Sequence, residues 1–404
     1  MELEKKLTPD DAALIGNGVV IPDSWQNDFW PQTGGYPGHT MQNLALAGNS
    51  LKQIWSLDIG SGGSDELPLT APPIIAENTI VTLDTKQRLA AFNAGTGKKI
   101  WQTDVMAEDE DEAVITGGVA YEGGKLFVTN GFDELLSVSL KDGKIIWRRP
   151  LPAPSRAAPT VLNKRIFVST LDNRVVAFDA ATGNSLWDYT GISEMAGLLG
   201  TASPAADDDI VVAAFSSGEI TALRVENGSV AWSDNLASVR NYGGGLESLS
   251  DIRALPVLNG GLVIGMSFSG KLAAIEEQTG MRVWQREISG SETPWAAGEN
   301  LFVLSTENQL IALNRANGAI IWITELPRYE NPEKKKDPIS WSGPVMGSNK
   351  LYLAGDNGIM LKIDAIKGKI EDHIKIRKNV RMRPLIAQKT MYLLSEDGTL
   401  SAYR

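Results

Sequence analysis

The amino-acid sequence predicts an all-β protein, an eight-bladed β-propeller of four-stranded antiparallel blades, from three observations. A turn glycine recurs seven times, and in six copies a tryptophan follows it by four residues. The spacings between successive tryptophans, counted from Trp55, are 46, 46, 40, 45, 52 and 38 residues, and each interval holds four short strands. The two chain ends carry complementary halves of one further unit. Repeats of this length and content are typical of propeller blades.

The repeated corner is clearest at residues 177–187, where an alternating apolar strand, a polar link ending in Thr-Gly and a second strand ending in Trp follow one another. Glycine supplies the positive φ that the turn needs, and an Asp or Asn four residues earlier can bond the turn backbone. The last copy is degenerate, with Asp372 in place of tryptophan. We interpret the tryptophans as residues that pack blade against blade: Trp55, Trp101, Trp147, Trp187, Trp232, Trp284 and Trp322.

In chain order, residues 1–50 carry no repeat and are predicted to form an extended arm, packed in part by Trp25, Phe29 and Trp30. Residues 51–404 are predicted to form a single propeller domain. Residues 51–55 resemble the second half of a corner and residues 399–404 the first half. Pairing the Trp55 strand with the C-terminal blade would close the ring and remove two exposed strand edges.

The composition narrows the possible partners and chemistry. The chain has 404 residues and a net charge of −11, so its field would repel nucleic acid. It contains no cysteine, which excludes disulfides, thiolate metal sites and a cysteine nucleophile. No run of 18 apolar residues occurs in it.

Catalytic and metal sites are not predicted. The two histidines, His39 and His373, are interpreted as surface residues, and two are too few for a histidine metal cluster. The acidic runs 108–112 and 207–209 lack the spacing of a calcium loop and are interpreted as solvated. The expectation is therefore a protein without enzymatic activity, cofactor or metal.

Two irregular loops are the better candidates for function. In a propeller, the loops that join one blade to the next all lie on one face. Residues 191–200 and 237–250 are two such loops at adjacent blade junctions, and the second lies in the longest interval. An apolar patch that contains arginine suits a protein partner. The residues expected to form it are Met195, Leu198, Leu199, Arg240 and Tyr242, although Leu198 and Leu199 could instead fill the loop base.

The corner Asp-x-x-Thr-Gly-x-x-x-Trp resembles the repeat of quinoprotein (PQQ-type) propellers. An eight-bladed ring without further domains resembles the BamB-type lipoproteins of the outer-membrane β-barrel assembly machinery. Residues 249–257 (LSDIRALPV) and 197–204 (GLLGTASP) are similar to two segments with which that family contacts the assembly barrel. The resemblance adds Leu249, Asp251 and Arg253 to the predicted partner site. Leu199 stands where the family has Arg, and Arg253 where it has Asp, so a changed pairing is expected.

The resemblance implies a non-enzymatic scaffold that assists the assembly and insertion of outer-membrane β-barrel proteins. It implies a monomer within a larger complex, bound to periplasmic domains of a BamA-like barrel, with unfolded clients as candidate further ligands. It also implies a location at the periplasmic face of the outer membrane, with a lipid anchor on a cysteine ahead of Met1. The alternative is a PQQ-dependent alcohol dehydrogenase-like quinoprotein, for which the resemblance would imply bound calcium and quinone. Many such enzymes carry an adjacent cysteine pair that this chain lacks.

Overall fold

The computed structural model describes residues 7–48, 50–191, 202–237, 252–268 and 270–404. It confirms the eight-bladed β-propeller, because eight four-stranded antiparallel sheets follow one another around a ring. A short helix, α1 (Ala12–Ile15), precedes the first strand, β1 (Gln53–Asp58). No helix of the described residues is both long and apolar enough to cross a membrane.

Blades 1 to 7 each run from an inner strand to an outer strand in chain order. The strands are: blade 1, β2 (Ile74–Ala76), β3 (Thr79–Leu83), β4 (Arg88–Asn93) and β5 (Lys99–Asp104); blade 2, β6 (Gly118–Glu122), β7 (Lys125–Thr129), β8 (Glu134–Ser139) and β9 (Ile145–Pro150); blade 3, β10 (Thr160–Leu162), β11 (Arg165–Ser169), β12 (Arg174–Asp179) and β13 (Ser185–Thr190); blade 4, β14 (Ala205–Ala206), β15 (Ile210–Ala214), β16 (Glu219–Arg224) and β17 (Val230–Asn235); blade 5, β18 (Val257–Asn259), β19 (Leu262–Met266), β20 (Leu272–Glu276) and β21 (Arg282–Arg286); blade 6, β22 (Trp295–Ala297), β23 (Asn300–Leu304), β24 (Gln309–Asn314) and β25 (Ile320–Glu325).

A small two-stranded hairpin, β26 (Tyr329–Asn331) and β27 (Lys336–Pro338), lies between blades 6 and 7. Blade 7 contains β28 (Trp341–Gly347), β29 (Lys350–Gly355), β30 (Ile359–Asp364) and β31 (Ile370–Lys375). Blade 8 contains β32 (Leu385–Ala387), β33 (Thr390–Leu394) and β34 (Thr399–Tyr403), with β1 as its outer strand.

The chain ends close the ring as predicted. In blade 8, Trp55 of β1 pairs with Ala402 of β34, the same register that Trp187 and Ala177 have in blade 3. Backbone hydrogen bonds in both directions between Lys52 and Arg404, each 2.9–3.0 Å, extend this pairing to the end of the chain. The closing strand therefore replaces two strand edges with ladder hydrogen bonds.

The corners join neighbouring blades. At residue 183 the glycine has φ of +71°, and the Asp179 carboxylate accepts hydrogen bonds from the Thr182 backbone N–H and hydroxyl, both 2.8 Å. A Cβ added to Gly228 would lie 2.5 Å from the indole of Trp187 in the preceding blade. The Trp187 indole N–H donates to Val225 O of the same next blade at 2.9 Å. The six other tryptophans of the repeat each lie against the corner glycine of the next blade in the same way.

Residues 7–48 precede the first blade. Asp10 lies against the outer strands of blades 5 and 6, where it bonds Arg286 and Ile320, and the later part of the segment crosses the inner strands of the ring. Within this segment, Trp30 exchanges both backbone hydrogen bonds with Ile75 of blade 1, at 2.8 and 2.9 Å. Further hydrogen bonds reach the inner strand, or the residue directly after it, in each of the seven other blades, through Tyr121, Val161, Ala206, Leu258, Trp295, Ser348 and Gln388. The segment thus contacts every blade. The sequence predicted only an extended arm packed in part by three aromatic residues, so this extent of contact was not predicted.

Candidate partner-binding face

The loops between successive blades lie on one face of the ring, which we call the loop face. Most of the predicted partner site, namely Met195, Leu198, Leu199, Arg240, Tyr242, Leu249 and Asp251, lies outside the described residues. Arg253 is described. It is exposed between the buried residues Ile252 and Ala254, each 1% exposed, so the backbone on both sides of it is anchored in the core.

The two loops start from adjacent, well-packed blades. The first leaves blade 3 at Gly191, whose N–H donates to Asn173 O at 2.8 Å, and the second leaves blade 4 at Leu236, whose N–H donates to Gly218 O at 2.8 Å. In the next blade, Ser267 Oγ donates to Leu236 O at 3.0 Å, and Lys271 Nζ donates to Ala237 O at 2.6 Å. Hydrogen bonds therefore hold the last described residues of both loops.

A buried carboxylate lies in blade 4, between the two loops. Glu219 Oε1 accepts hydrogen bonds from three hydroxyls: Tyr189 at 3.3 Å, Thr221 at 2.9 Å and Ser233 at 3.1 Å. Tyr189 belongs to blade 3, so this network joins the blades on either side of the first loop. Burial, reinforced by the negative charge of Glu219, raises the pKa of Tyr189.

A second group of polar side chains lies near the ring axis. Trp30 stacks on Trp295 with ring centroids 6.4 Å apart, and the Arg383 guanidinium lies 5.8 Å from the Trp295 ring centroid. Arg383 Nη2 donates to Thr293 O. Glu292 lies close to these residues and accepts a hydrogen bond from the Gly343 N–H at 3.0 Å.

Charge and burial compete within this axial group. Burial raises the pKa of Glu292, while the charges of Arg383 and Arg253 and the hydrogen bond from Gly343 act in the opposite direction. Burial also lowers the pKa of Arg383, and the Glu292 carboxylate partly offsets that shift. Each charge thus partly compensates for the desolvation of the other.

His39 corrects a prediction, because it is not a surface residue. It is 3% exposed, and its Nδ1 forms a 2.7 Å hydrogen bond with Pro256 O. Burial lowers the pKa of His39 to about 4; the hydrogen bond to Pro256 opposes this shift and the charge of Arg383 adds to it. His39 is therefore neutral near pH 7 and holds the N-terminal segment on the inner strand of blade 5. His373 is exposed.

The acidic run 207–209 also has an unpredicted partner. Asp207 is hydrogen-bonded to Glu277, which follows the third strand of blade 5. Burial, followed by this hydrogen bond and the nearby negative charges, raises the pKa of Glu277 to about 7. Among the described residues, no group of three or more His, Cys, Asp or Glu side chains could hold a metal ion.

Sequence reasoning missed Glu292 and Arg383, yet the repeat contains a signal for both. A proline lies near the beginning of seven of the eight inner strands. The two residues before that proline are uncharged in each of these strands, except for Glu292 in blade 6 and Arg383 in blade 8. Aligning the blades on this proline would therefore have identified the two charged exceptions.

A family model described as "Outer membrane protein assembly factor BamB" matches residues 85–324, more than half of the chain. The chain belongs to the BamB family. It is 22% identical over 372 residues to the outer membrane protein assembly factor BamB of Yersinia pestis, covering 90% of this chain and 92% of that protein. It is 28% identical over 338 residues to an uncharacterized protein of Rickettsia prowazekii, with 81% of each chain covered.

Solved structures share the ring architecture. The crystal structure of BamB from Moraxella catarrhalis is similar with a TM-score of 0.74 at 20% identity, covering 88% of this chain and all of that one. Quinohemoprotein alcohol dehydrogenase from Comamonas testosteroni is similar with a TM-score of 0.72 at 12% identity, covering 94% of this chain and 81% of that one. At these identities, both likenesses show the fold alone.

Proposed function

We propose that the chain is a non-enzymatic scaffold subunit that assists the assembly and insertion of outer-membrane β-barrel proteins. Membership of the BamB family carries this proposal, because it extends through the blades from which both loops of the predicted partner site leave. In the proposal, residues 1–50 are an arm of the single propeller domain 51–404. The protein acts at the periplasmic face of the outer membrane, lipid-anchored in its full precursor.

The partner is proposed to be the periplasmic domains of a BamA-like assembly barrel, with unfolded clients as further ligands. The contact is assigned to the loops 191–200 and 237–250, with Arg253 at the end of the second. The arrangement of the described residues supports this choice, since both loops leave adjacent blades from hydrogen-bonded positions. A rigid base lowers the conformational entropy that a loop loses on binding.

The quinoprotein alternative is tested by the fit of the axial residues. A calcium–quinone pair needs several ligands that converge on one point. Among the described residues, the axial group offers a single carboxylate, that of Glu292, which already accepts a hydrogen bond from the Gly343 N–H. The indoles of Trp30 and Trp295 stack on each other beside it. These residues do not fit that pair. Purified protein incubated with quinone and calcium is expected to show no dye-linked alcohol oxidation.

The proposed contact can be tested by pull-down with purified periplasmic domains of the assembly barrel. The triple variant Leu198→Ala, Arg240→Ala, Asp251→Ala should bind these domains more weakly while its circular dichroism stays unchanged. A matched control replaces Leu186, Arg224 and Asp188, which have the same side-chain types and are exposed on outer parts of blades 3 and 4. Equal binding by both triple variants would rule out the assigned loops.

A further inference from the structure

A cavity of about 290 Å³ opens on the loop face between blades 6 and 7. Its lining includes Ser291, Glu292, Ser305, Thr306, Ser340 and Trp341. We call this cavity the Glu292 socket. Small-molecule sites usually measure about 300–1,000 Å³. The socket lies at the lower end of that range, a size that suits one side chain better than a large cofactor.

The walls of the socket are held by hydrogen bonds. Trp341 is 5% exposed, and its indole N–H donates to Pro327 O at 2.8 Å. The Ser340 N–H donates to Asp356 Oδ1 at 3.1 Å, and the Leu326 N–H donates to Asn308 O at 2.9 Å. The β26–β27 hairpin rises from this wall. The socket is therefore already formed, and a ligand would not have to order it.

Of the described residues that line the socket, Glu292 is the one that carries a charge. A carboxylate has room for about four accepted hydrogen bonds. Among the described residues, Glu292 accepts one, from the Gly343 N–H. Arg383 is close enough to act electrostatically, but its guanidinium donates to Thr293 O and stacks on Trp295. The carboxylate thus has remaining capacity to accept hydrogen bonds.

The charges around the socket restrict what can bind there. Arg383 and Arg253 are the cations that act on Glu292, yet burial still raises its pKa, so a further donor would stabilise its ionised form. The Lys334–Lys336 run lies at the far end of the hairpin, where Glu330, Glu333 and Asp337 are close in sequence. The whole chain has a net charge of −11, which favours a basic partner surface.

We infer that the Glu292 socket receives a lysine or arginine side chain of a protein partner docked on the loop face. The inserted cation would form a charge-assisted hydrogen bond with Glu292, and the hydroxyls of Ser305, Thr306 and Ser340 would surround it. This inference rests on the proposed scaffold function and adds a second contact, two blade junctions away from the loop 237–250.

The test measures the affinity of the full chain for the purified periplasmic domains of the assembly barrel by isothermal titration calorimetry. Glu292→Gln keeps the shape of the side chain and removes its charge. Thr306→Trp fills the mouth of the socket from an exposed position. Glu292→Gln is expected to weaken binding about tenfold or more, because one partner of a desolvated charge pair is lost. Thr306→Trp is expected to weaken binding by a similar factor, because the inserted side chain can no longer enter the socket. Glu307→Gln removes the same charge from an exposed position next to the socket and should bind like the wild type.

Two further measurements separate the possible outcomes. Thermal unfolding of each variant checks that the ring remains folded. A photo-cross-linking residue at position 306 should attach to a segment of the barrel that contains a lysine or arginine. The inference is overturned if Glu292→Gln and Thr306→Trp bind like the wild type, or if the cross-link forms with a segment that contains neither lysine nor arginine. If only the loop variants lose binding, the scaffold proposal is supported and the socket inference is rejected. If the wild type itself fails to bind, both proposals fail.

Discussion

Each corner glycine contacts a tryptophan of the preceding blade. This contact predicts that a glycine-to-alanine substitution will lower the free energy of unfolding by different amounts at two corners with the same backbone geometry. Gly97 and Gly228 both have φ of +71°. An added Cβ would lie 3.3 Å from the Trp55 indole at Gly97, but 2.5 Å from the Trp187 indole at Gly228. The backbone penalty of alanine is therefore shared by both sites, whereas a steric clash severe enough to force movement occurs only at Gly228.

The expected costs follow from these two contributions. Left-handed backbone in a non-glycine residue costs roughly 1–2 kcal/mol, which is the expected destabilisation for Gly97→Ala. At Gly228 the Trp187 indole must move, although it is 8% exposed and donates to Val225 O at 2.9 Å. Overpacking of this kind costs roughly 1–3 kcal/mol more. We therefore expect Gly228→Ala to destabilise the protein by about 2–5 kcal/mol.

Urea unfolding followed by circular dichroism measures both variants, and a double variant separates the two contributions. Truncating Trp187 removes the atoms with which the new Cβ clashes. The double variant Trp187→Ala, Gly228→Ala should therefore cost less than the sum of the single changes, by about the overpacking contribution. Equal costs for Gly97→Ala and Gly228→Ala, or strict additivity in the double variant, would refute the contact as the cause.

Three further predictions concern stability and its dependence on pH. Trp187→Ala should lower the free energy of unfolding by about 3–5 kcal/mol while the pull-down of the barrel domains stays unchanged at temperatures where the variant is folded; selective loss of binding would contradict a packing role. His39 has a pKa of about 4 in the folded protein, below the value of 6.5 for an exposed histidine, so the unfolded chain binds more protons between these values. Its contribution, about 3 kcal/mol, is present above pH 6.5 and is lost as the pH falls towards 4; His39→Asn should remove this slope in urea titrations at several pH values. Glu277 has the opposite sign, because its folded pKa of about 7 lies above that of a free carboxyl group. Stability should therefore fall as the pH rises from about 4.5 to 7, and melting curves of Glu277→Gln should lack this fall.

The propeller could be predicted from the sequence because its determinants are local and repeated. The Asp179 carboxylate bonds the turn of its own corner, and Gly183 adopts the positive φ that the turn requires. Each of these contacts lies within a few residues along the chain. The ring closure was equally accessible, since the strand that contains Trp55 lacked a first half and the C-terminal strand supplied one.

The candidate sites were harder to predict for a physical reason. The loops could be placed by their irregular length, but seven of the predicted partner residues lie outside the described part of the chain. The Glu292 socket joins residues from two blades and the hairpin between them. The local sequence around Glu292 resembles an ordinary polar loop, and only the ring brings Trp341 and Gly343 against it.

The sequence by itself determined the number of blades, the corner chemistry, the closing strand and the face on which long loops gather. All of these follow from strand periodicity and turn preferences, which act over short stretches of chain. The tertiary structure decided the path of residues 7–48, the burial of His39 and the charges near the axis. His39 meets Pro256 across 217 positions and Asn27 meets Ile386 across 359. Contacts of that range depend on the completed ring.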